Sequence, residues 1–189
     1  MIKIAITGII GSGKSEVAKI VSDLGGFVLS ADAINREMLV DKEYLSTLSY
    51  HFPEAFESGN FDKKVLAKIV FNDSKKLNQL NSIAHPEINK RMRLKAKGSQ
   101  VVFCEIPLLS SEWAKEFDRV WLVKCEESGR IARICARDGR GEDEAQKIVQ
   151  SQDAFRDIKY NNCDIIDNNG RIDDLYRQVS ALYCKLLKK

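Results

Sequence analysis

The residues with the clearest chemical potential form a glycine-rich segment close to the N-terminus. Between Gly8 and Ser15 the chain reads G-I-I-G-S-G-K-S and matches the pattern G-x-x-x-x-G-K-[ST] at every position. Because Gly8, Gly11 and Gly13 lack a Cβ, the backbone there can turn successive N–H groups towards phosphate oxygens. Lys14 supplies a positive charge for the β- and γ-phosphates, and the Ser15 hydroxyl is suited to hold Mg²⁺.

This segment therefore predicts a site for a nucleoside triphosphate, with ATP and Mg²⁺ as the expected ligands. The residues expected to bind ATP are Gly8, Gly11, Ser12, Gly13, Lys14, Ser15 and Glu16, and the expected metal ligand is Ser15.

Asp32 is a second candidate, because it follows directly after the second predicted strand. In an open parallel sheet, the carboxyl ends of the strands open into the crevice where ligands bind. A carboxylate there can accept the proton of an attacking hydroxyl or help to hold a metal ion. An aspartate at the same place can equally cap the next helix, and position alone leaves both interpretations open.

Three arginines, Arg130, Arg133 and Arg137, recur at intervals of three and four and therefore share one face of a predicted helix. Such a column suits the charge of a phosphoryl group during transfer. A solvated basic face is an equally good interpretation. The polar segment that follows, 138–152, begins with a glycine-containing stretch and would serve as a lid over ATP.

The elements that must position these residues can be predicted from hydrophobic periodicity. The apolar runs that predict strands are Ile2–Thr7, Phe27–Leu29, Val101–Cys104, Val120–Val123 and, more weakly, Cys163–Asp167. A helix is predicted from Ser15 to Leu24, and a last one begins near Ile172. Strands that alternate with helices predict an α/β fold, in which a five-stranded parallel sheet has helices on both faces.

The stretch between the second and third strands contains no predicted strand. Apolar residues at helical spacing indicate helices there instead, with Leu77, Leu80, Ala84, Ile88 and Met92 on one face of the longest. We therefore expect one domain, 1–189, whose core comprises 1–31 and 99–189. A helical insertion at about 32–98 and a lid at about 138–152 complete it.

Composition narrows the class of protein. The net charge of +3 is too small to indicate nucleic-acid binding and is compatible with anionic metabolites. Five cysteines without CxxC or zinc spacing indicate reduced thiols in a cytosol. Neither a signal-peptide pattern nor a membrane-spanning apolar run is evident, so the sequence predicts a soluble, cytoplasmic protein.

Other classes of phosphate-loop protein fit less well. A GTPase needs an N-K-x-D sequence, which this chain lacks, and its D-x-x-G match at 167–170 comes after the last strand. An AAA-type ATPase could use Val101–Glu105 as a Walker B strand, but the chain has no room for the remaining machinery. A small kinase remains.

Taken together, the chain resembles the dephospho-CoA kinase family over nearly all of its 189 residues. The motifs that carry the likeness are the phosphate loop with Thr7, Ala31-Asp32, His85-Pro86, Pro107-Leu108-Leu109, Arg137-Asp138-Gly139, the helix from Glu142 to Gln152, and Asp164–Gly170. The resemblance implies transfer of the γ-phosphoryl group of ATP to the ribose 3′-hydroxyl of dephospho-CoA, the last step of coenzyme A synthesis.

The resemblance also implies roles for single residues. The catalytic residues would be Asp32, Lys14, Arg133 and Arg137, with Asp32 facing the acceptor hydroxyl and the two arginines contacting phosphates. Acceptor-binding residues would be Thr7, Asp32, His85, Pro107 and Leu108. A helix-packing role for His85 also remains open.

The chain departs from the family pattern at Ser30, Glu16 and Ser111. The expected partners are the small molecules ATP and dephospho-CoA, with no nucleic acid and no membrane. We expect a monomer or weak homo-oligomer. A shikimate- or nucleoside-type kinase is the alternative assignment, and a nucleotide-binding protein without catalytic activity is a more distant one.

Overall fold

The computed structural model describes residues 1–57, 59–152, 155 and 158–187 of the 189-residue chain. It divides the chain into two compact units, one formed by Met1–Ala31 with Gly98–Lys189 and the other by Asp32–Lys97. The predicted core segment 99–189 thus includes residues 153, 154, 156, 157, 188 and 189, which lie outside the described residues.

The first unit contains a sheet of five parallel strands in the order β2-β3-β1-β4-β5. The strands are β1 (Ile2–Thr7), β2 (Phe27–Ser30), β3 (Val101–Glu105), β4 (Arg119–Lys124) and β5 (Cys163–Asp167). All five predicted strands are confirmed, and three of them extend by one or two residues beyond the predicted bounds. The α/β fold class is confirmed as well.

The helices of the described chain follow the expected alternation. They are α1 (Lys14–Asp23), α2 (Ala31–Met38), α3 (Lys42–His51), α4 (Lys63–Asn72), α5 (Ser74–Lys95), α6 (Ser111–Ala114), α7 (Glu127–Asp138), α8 (Glu142–Gln150) and α9 (Ile172–Leu187), and a 3₁₀ turn spans Pro53–Phe56. Helices α1 and α9 pack against one face of the sheet through a cluster that includes Ile4, Ile6, Val17, Phe103, Trp121, Ile166 and Val179.

Alternate strand residues that point to the opposite face of the sheet, Ala5, Cys104 and Val120, are also buried. Strand residues that point to either face are buried, because both faces of a parallel sheet are normally covered. This explains why the central strands are continuous apolar runs in the sequence. Edge strand β5, by contrast, alternates between buried Ile166 and Ile165, which is 59% exposed.

The second unit is helical. Asp41 caps α3 by accepting hydrogen bonds from the N–H groups of Glu43 and Tyr44. The Arg91 guanidinium on α5 donates to Asp41 at 2.6 Å and to Glu87 at 2.9 Å. The hydrogen bond from Arg91 holds the pKa of Asp41 below its usual value. The cap of α3 is therefore also a tie to α5.

The two isoleucines of β5 allow a matched test of the core. We expect Ile166→Ala to lower the free energy of unfolding by about 2–5 kcal/mol, because it removes buried methylenes and leaves a cavity. Ile165→Ala makes the same chemical change at an exposed position and should cost at most about 1 kcal/mol. Urea unfolding of the two variants measures both values, and equal losses would contradict the described register of β5.

Candidate active site

The loop between β1 and α1 has a backbone that only glycine allows at two positions. Gly11 has φ +75° and Gly13 has φ +97°, both in the left-handed region. A Cβ on Gly13 would lie 2.0 Å from Nδ2 of Asn168, and one on Gly11 would lie 2.8 Å from the carbonyl oxygen of Arg130. Glycine is therefore required here by both conformation and space.

The same loop is braced from behind by two side chains. Nδ2 of Asn168 donates to the carbonyl of fully buried Ser12 at 2.8 Å. Arg133 on α7 donates to the carbonyl of Gly11 at 3.1 Å, to the carbonyl of Asn168 at 2.8 Å and to Sγ of Cys125 at 2.9 Å. These bonds occupy the backbone carbonyls of Gly11 and Ser12, and a loop whose carbonyls are held in this way can turn its remaining N–H groups towards an anion.

Polar groups at the start of α1 complete the loop. Nζ of Lys14 donates to the carbonyl of Gly8 at 2.7 Å and to that of Ile9 at 3.3 Å. The N-cap of α1 is Gly13, which offers no side-chain cap, and the first N–H groups of a helix have no intrahelical acceptor. This end of α1 therefore carries the positive end of the helix dipole and suits a phosphate.

Ser15 and Glu105 bring two oxygen groups together at the start of α1. The Ser15 hydroxyl donates to Oε1 of Glu105, the last residue of β3, at 2.6 Å. A hydroxyl and a carboxylate are the hard oxygen ligands that Mg²⁺ prefers, so these residues fit that ion. No cluster of three or more His, Cys, Asp or Glu suited to a metal occurs within the described residues.

Helix α8, within the segment predicted to be a lid, is fastened to the loop. The N–H of Ile10 donates to Oε1 of Gln152 at 2.7 Å, just beyond the end of α8. The Ile10 side chain packs against a buried cluster that joins α7 to α8 and consists of Ile134, Ala145 and Val149. The loop and this pair of helices therefore form one packed assembly.

Two cavities adjoin the loop. The first, which we call the phosphate-loop cavity, has a volume of about 470 Å³ and is lined by Gly11 and Gly13–Glu16 together with Arg133, Arg137 and Asn168. It thus brings together five of the seven residues predicted to bind ATP and both predicted catalytic arginines. Ser12 does not line this cavity and is fully buried within the loop.

The second cavity, which we call the strand-end cavity, has a volume of about 380 Å³. It lies at the carboxyl ends of β1, β3 and β4 and brings together Thr7, Gly8, Pro107 and Leu108, with Arg130 also in its wall. Three of the five residues predicted to bind the acceptor therefore line this cavity. Gly8, predicted to bind ATP, lies on this side of the loop.

Tyr160 supports the wall of the strand-end cavity. Its hydroxyl donates to the carbonyl of Leu109 at 2.6 Å and so holds the segment that follows β3. Burial raises the pKa of Tyr160 to about 12, so the hydroxyl keeps its proton at neutral pH and remains a donor.

The column of three arginines does not serve a single cavity. Arg130 is 2% exposed and lines the strand-end cavity, whereas Arg133 and Arg137 line the phosphate-loop cavity. A solvated basic face is therefore wrong for Arg130. Arg137 has an exposed side chain and makes a two-point ion pair with Asp138, at 2.7 and 2.9 Å.

Two predicted site residues, Asp32 and His85, belong to the helical unit. Asp32 is exposed in the first turn of α2, which begins one residue earlier, so Asp32 is not the N-cap of this helix. His85 is half-buried in α5, and burial lowers the pKa of its imidazole. Burial thus favours the neutral form of His85.

Four residues of this site were missed from the sequence: Glu105, Asn168, Gln152 and Tyr160. Glu105 ends a buried strand, so its position at the carboxyl edge of the sheet was a signal of the same kind as that of Asp32. Asn168 and Gln152 lie in segments that are similar to the family pattern, but this similarity alone does not give either residue a role. Tyr160 carries no sequence signal, because its partner is a backbone carbonyl 51 residues away.

Two further observations concern the cysteines and the possibility of a membrane-spanning helix. All five cysteines, which lie in the described part of the chain, are free thiols. None of the helices of the described residues has the length and apolar character that a membrane span requires.

Comparison with known proteins agrees with this geometry. The model of the dephospho-CoA kinase family matches residues 2–174. A dephospho-CoA kinase of Thermus thermophilus is 33% identical over 186 residues, which cover 97% of this chain and 91% of the relative.

Solved structures show the same similarity. A crystal structure of the Thermus thermophilus protein TT1252 has a TM-score of 0.77 and 32% identity, with 98% of this chain and 97% of that chain covered. Dephospho-CoA kinase from Campylobacter jejuni has a TM-score of 0.63 and 25% identity over the same shares. The family match spans far more than half of the chain and agrees with the loop and its cavities. The chain belongs to the dephospho-CoA kinase family.

Proposed function

We propose that this protein transfers the γ-phosphoryl group of ATP to the 3′-hydroxyl of dephospho-CoA and releases coenzyme A and ADP. The observation that carries the proposal is the position of the phosphate loop, whose residues line two different cavities. A phosphotransferase needs a donor site and an acceptor site that meet at the transferred group, and the loop adjoins both cavities.

The phosphate-loop cavity is the proposed ATP site. Loop N–H groups and the N-terminus of α1 would bind the phosphates, and Lys14 would move from the carbonyls of Gly8 and Ile9 to the phosphate oxygens. Ser15 and Glu105 would hold Mg²⁺, which when bound neutralises charge on the phosphates. Arg133 keeps the loop in shape, and Arg137 would leave Asp138 for the transferring group.

The strand-end cavity is the proposed site for part of the acceptor, through Thr7, Pro107 and Leu108. Asp32 and His85 would contribute from the helical unit, for which we propose a role in acceptor binding. Asp32 follows β2 by two residues, and Ser30 at the end of β2 pairs in register with Glu105. In its neutral form, His85 could donate or accept a hydrogen bond without adding charge.

In the proposed reaction, a bond forms between the acceptor 3′-oxygen and the γ-phosphorus while the bond from that phosphorus to the bridging oxygen of ADP breaks. The proton of the hydroxyl passes to the carboxylate of Asp32. Because the transition state of phosphoryl transfer is loose, positioning of the hydroxyl contributes more than proton removal. Segment 138–152 would act as a lid that excludes water, and hydrolysis of ATP is thereby limited.

We further propose that the protein works in the cytoplasm as a monomer or weak homo-oligomer, with small molecules as its only substrates. Five free thiols suit a reducing compartment.

The proposed function is tested by release of ADP in the presence of a panel of acceptors. We expect turnover with dephospho-CoA, little with shikimate or with nucleosides, and a product phosphorylated at the 3′-position. Lys14→Ala serves as the control and should lose ~10²–10³ in kcat, since a charge that faces developing negative charge is removed. Preferential turnover of a different acceptor would contradict the proposal.

The two arginines of the phosphate-loop cavity should behave differently. Arg137→Ala removes a side chain bonded only at the surface, so we expect kcat to fall roughly 10³-fold while the melting temperature is unchanged. Arg133→Ala removes three hydrogen bonds behind the loop, so ATP binding and stability should fall together with kcat.

Kinetics, calorimetry and thermal melts of these two variants separate the roles of Arg133 and Arg137. Arg177→Ala, on the exposed surface of α9, is the matched control and should equal the wild type. If Arg137→Ala kept the kcat and the KM for ATP of the wild type, its place in the reaction would be refuted.

Asp32→Asn preserves the shape of the side chain but removes its charge. We expect kcat to fall roughly 10²–10⁴-fold, because the charge that would both orient the acceptor hydroxyl and accept its proton is lost. The affinity for ATP should stay unchanged, since the phosphate loop belongs to the other unit. Calorimetry and turnover on one preparation measure both, with exposed Asp23→Asn as the control. Near-normal turnover would show that Asp32 has no part in the transfer.

A further inference from the structure

Among the described residues, Arg130 is the only charged residue that is buried, with 2% of its surface exposed. Its Nη2 atom forms an ion pair with Oε2 of Glu127 at 3.7 Å. Removing a guanidinium from water costs free energy, so a buried one is expected to have a role in packing or in function. The transfer described above does not use Arg130.

The place of Arg130 is set by the phosphate loop itself. Its carbonyl oxygen would be 2.8 Å, and its Cα 3.0 Å, from a Cβ on Gly11, so the first turn of α7 is pressed against the loop. From there Arg130 reaches the strand-end cavity, whereas Arg133, nearly one turn later, reaches the phosphate-loop cavity. One helix therefore delivers arginines to both cavities.

We propose that Arg130 binds the diphosphate of the acceptor and so selects acceptors that carry one. This inference rests on the proposed function. Dephospho-CoA has a diphosphate between its ribose and its pantetheine arm, a short distance from the 3′-hydroxyl that reacts. The planar fork of a guanidinium matches two phosphate oxygens at once, and its charge counts more where water is excluded.

The other charged groups of the strand-end cavity do not offer the same contact. Lys124 and Glu126 are exposed, and Glu127 has a side chain that is 41% exposed. Arg130 is thus the cation buried in the wall, while the carboxylates lie towards solvent, where their repulsion of a diphosphate is screened. Glu127, the ion-pair partner of Arg130, would remain near water when the diphosphate binds.

Two variants test the assignment. Arg130→Met keeps the length and apolar packing of the side chain, and Arg130→Lys keeps the charge without the fork. We expect Arg130→Met to raise both the Kd and the KM for dephospho-CoA by ~10–100-fold, the loss typical of a hydrogen bond to a charged group. Arg130→Lys should lose less. The kcat and the KM for ATP should stay unchanged, because the contact is the same in ground and transition states.

The measurements are acceptor binding by calorimetry without ATP, steady-state kinetics in both substrates, and thermal melts. Arg177→Met on the exposed face of α9 is the matched control. A lower kcat with unchanged acceptor Kd would overturn the inference, because Arg130 would then act on the transferring phosphoryl group. Joint loss of ATP binding, acceptor binding and stability in both variants would make Arg130 structural.

Unchanged acceptor affinity in both variants would also overturn the inference. None of these outcomes touches the proposed function, which is judged on the wild type alone. If the wild type failed to phosphorylate dephospho-CoA, the proposed function would fail first and independently of Arg130.

Discussion

The close packing of the phosphate loop against Asn168 and Arg133 is the constraint on which the rest of the site depends. Asn168 fills the space beside Gly13, and Arg133 holds the carbonyl of Gly11, so the loop has little freedom to relax. A loop held in this way presents its N–H groups before ATP arrives, and less free energy of binding is lost in ordering it. Catalysis of phosphoryl transfer is mostly positioning and electrostatics, which makes this rigidity directly useful.

The parallel sheet provides the frame for this constraint. β1 lies between β3 and β4, so the loop after β1 emerges beside the ends of both neighbours. Glu105 at the end of β3 thereby reaches Ser15, and the segment after β4 leads into α7, which carries Arg130, Arg133 and Arg137. Two cavities at the loop follow from this order, because the loop and α7 contribute residues to both. The family assignment agrees with this frame and excludes the alternative shikimate- and nucleoside-type kinases.

Much of this arrangement could be predicted from the sequence, for identifiable reasons. The five strands were predictable because buried parallel strands are continuous apolar runs, and the loop because its motif combines residue types that only phosphate binding demands. The split of the arginine column was not predictable: periodicity shows that Arg130 and Arg133 share a helix face, but not that the loop meets that face between them. The contacts of Gln152 and Tyr160 join segments more than 50 residues apart, and a single sequence carries no record of such pairs.

In the proposed arrangement, the phosphate-loop cavity holds the donor and the strand-end cavity holds the acceptor. A crystal structure with a non-hydrolysable ATP analogue and dephospho-CoA would show where each one binds. We expect the phosphates of the analogue against Gly11–Ser15. The ribose of dephospho-CoA should lie in the strand-end cavity, with its 3′-oxygen towards Gly8 and its diphosphate at Arg130. An acceptor bound away from the strand-end cavity, or the adenine of the ATP analogue inside it, would show that the two cavities do not have these roles.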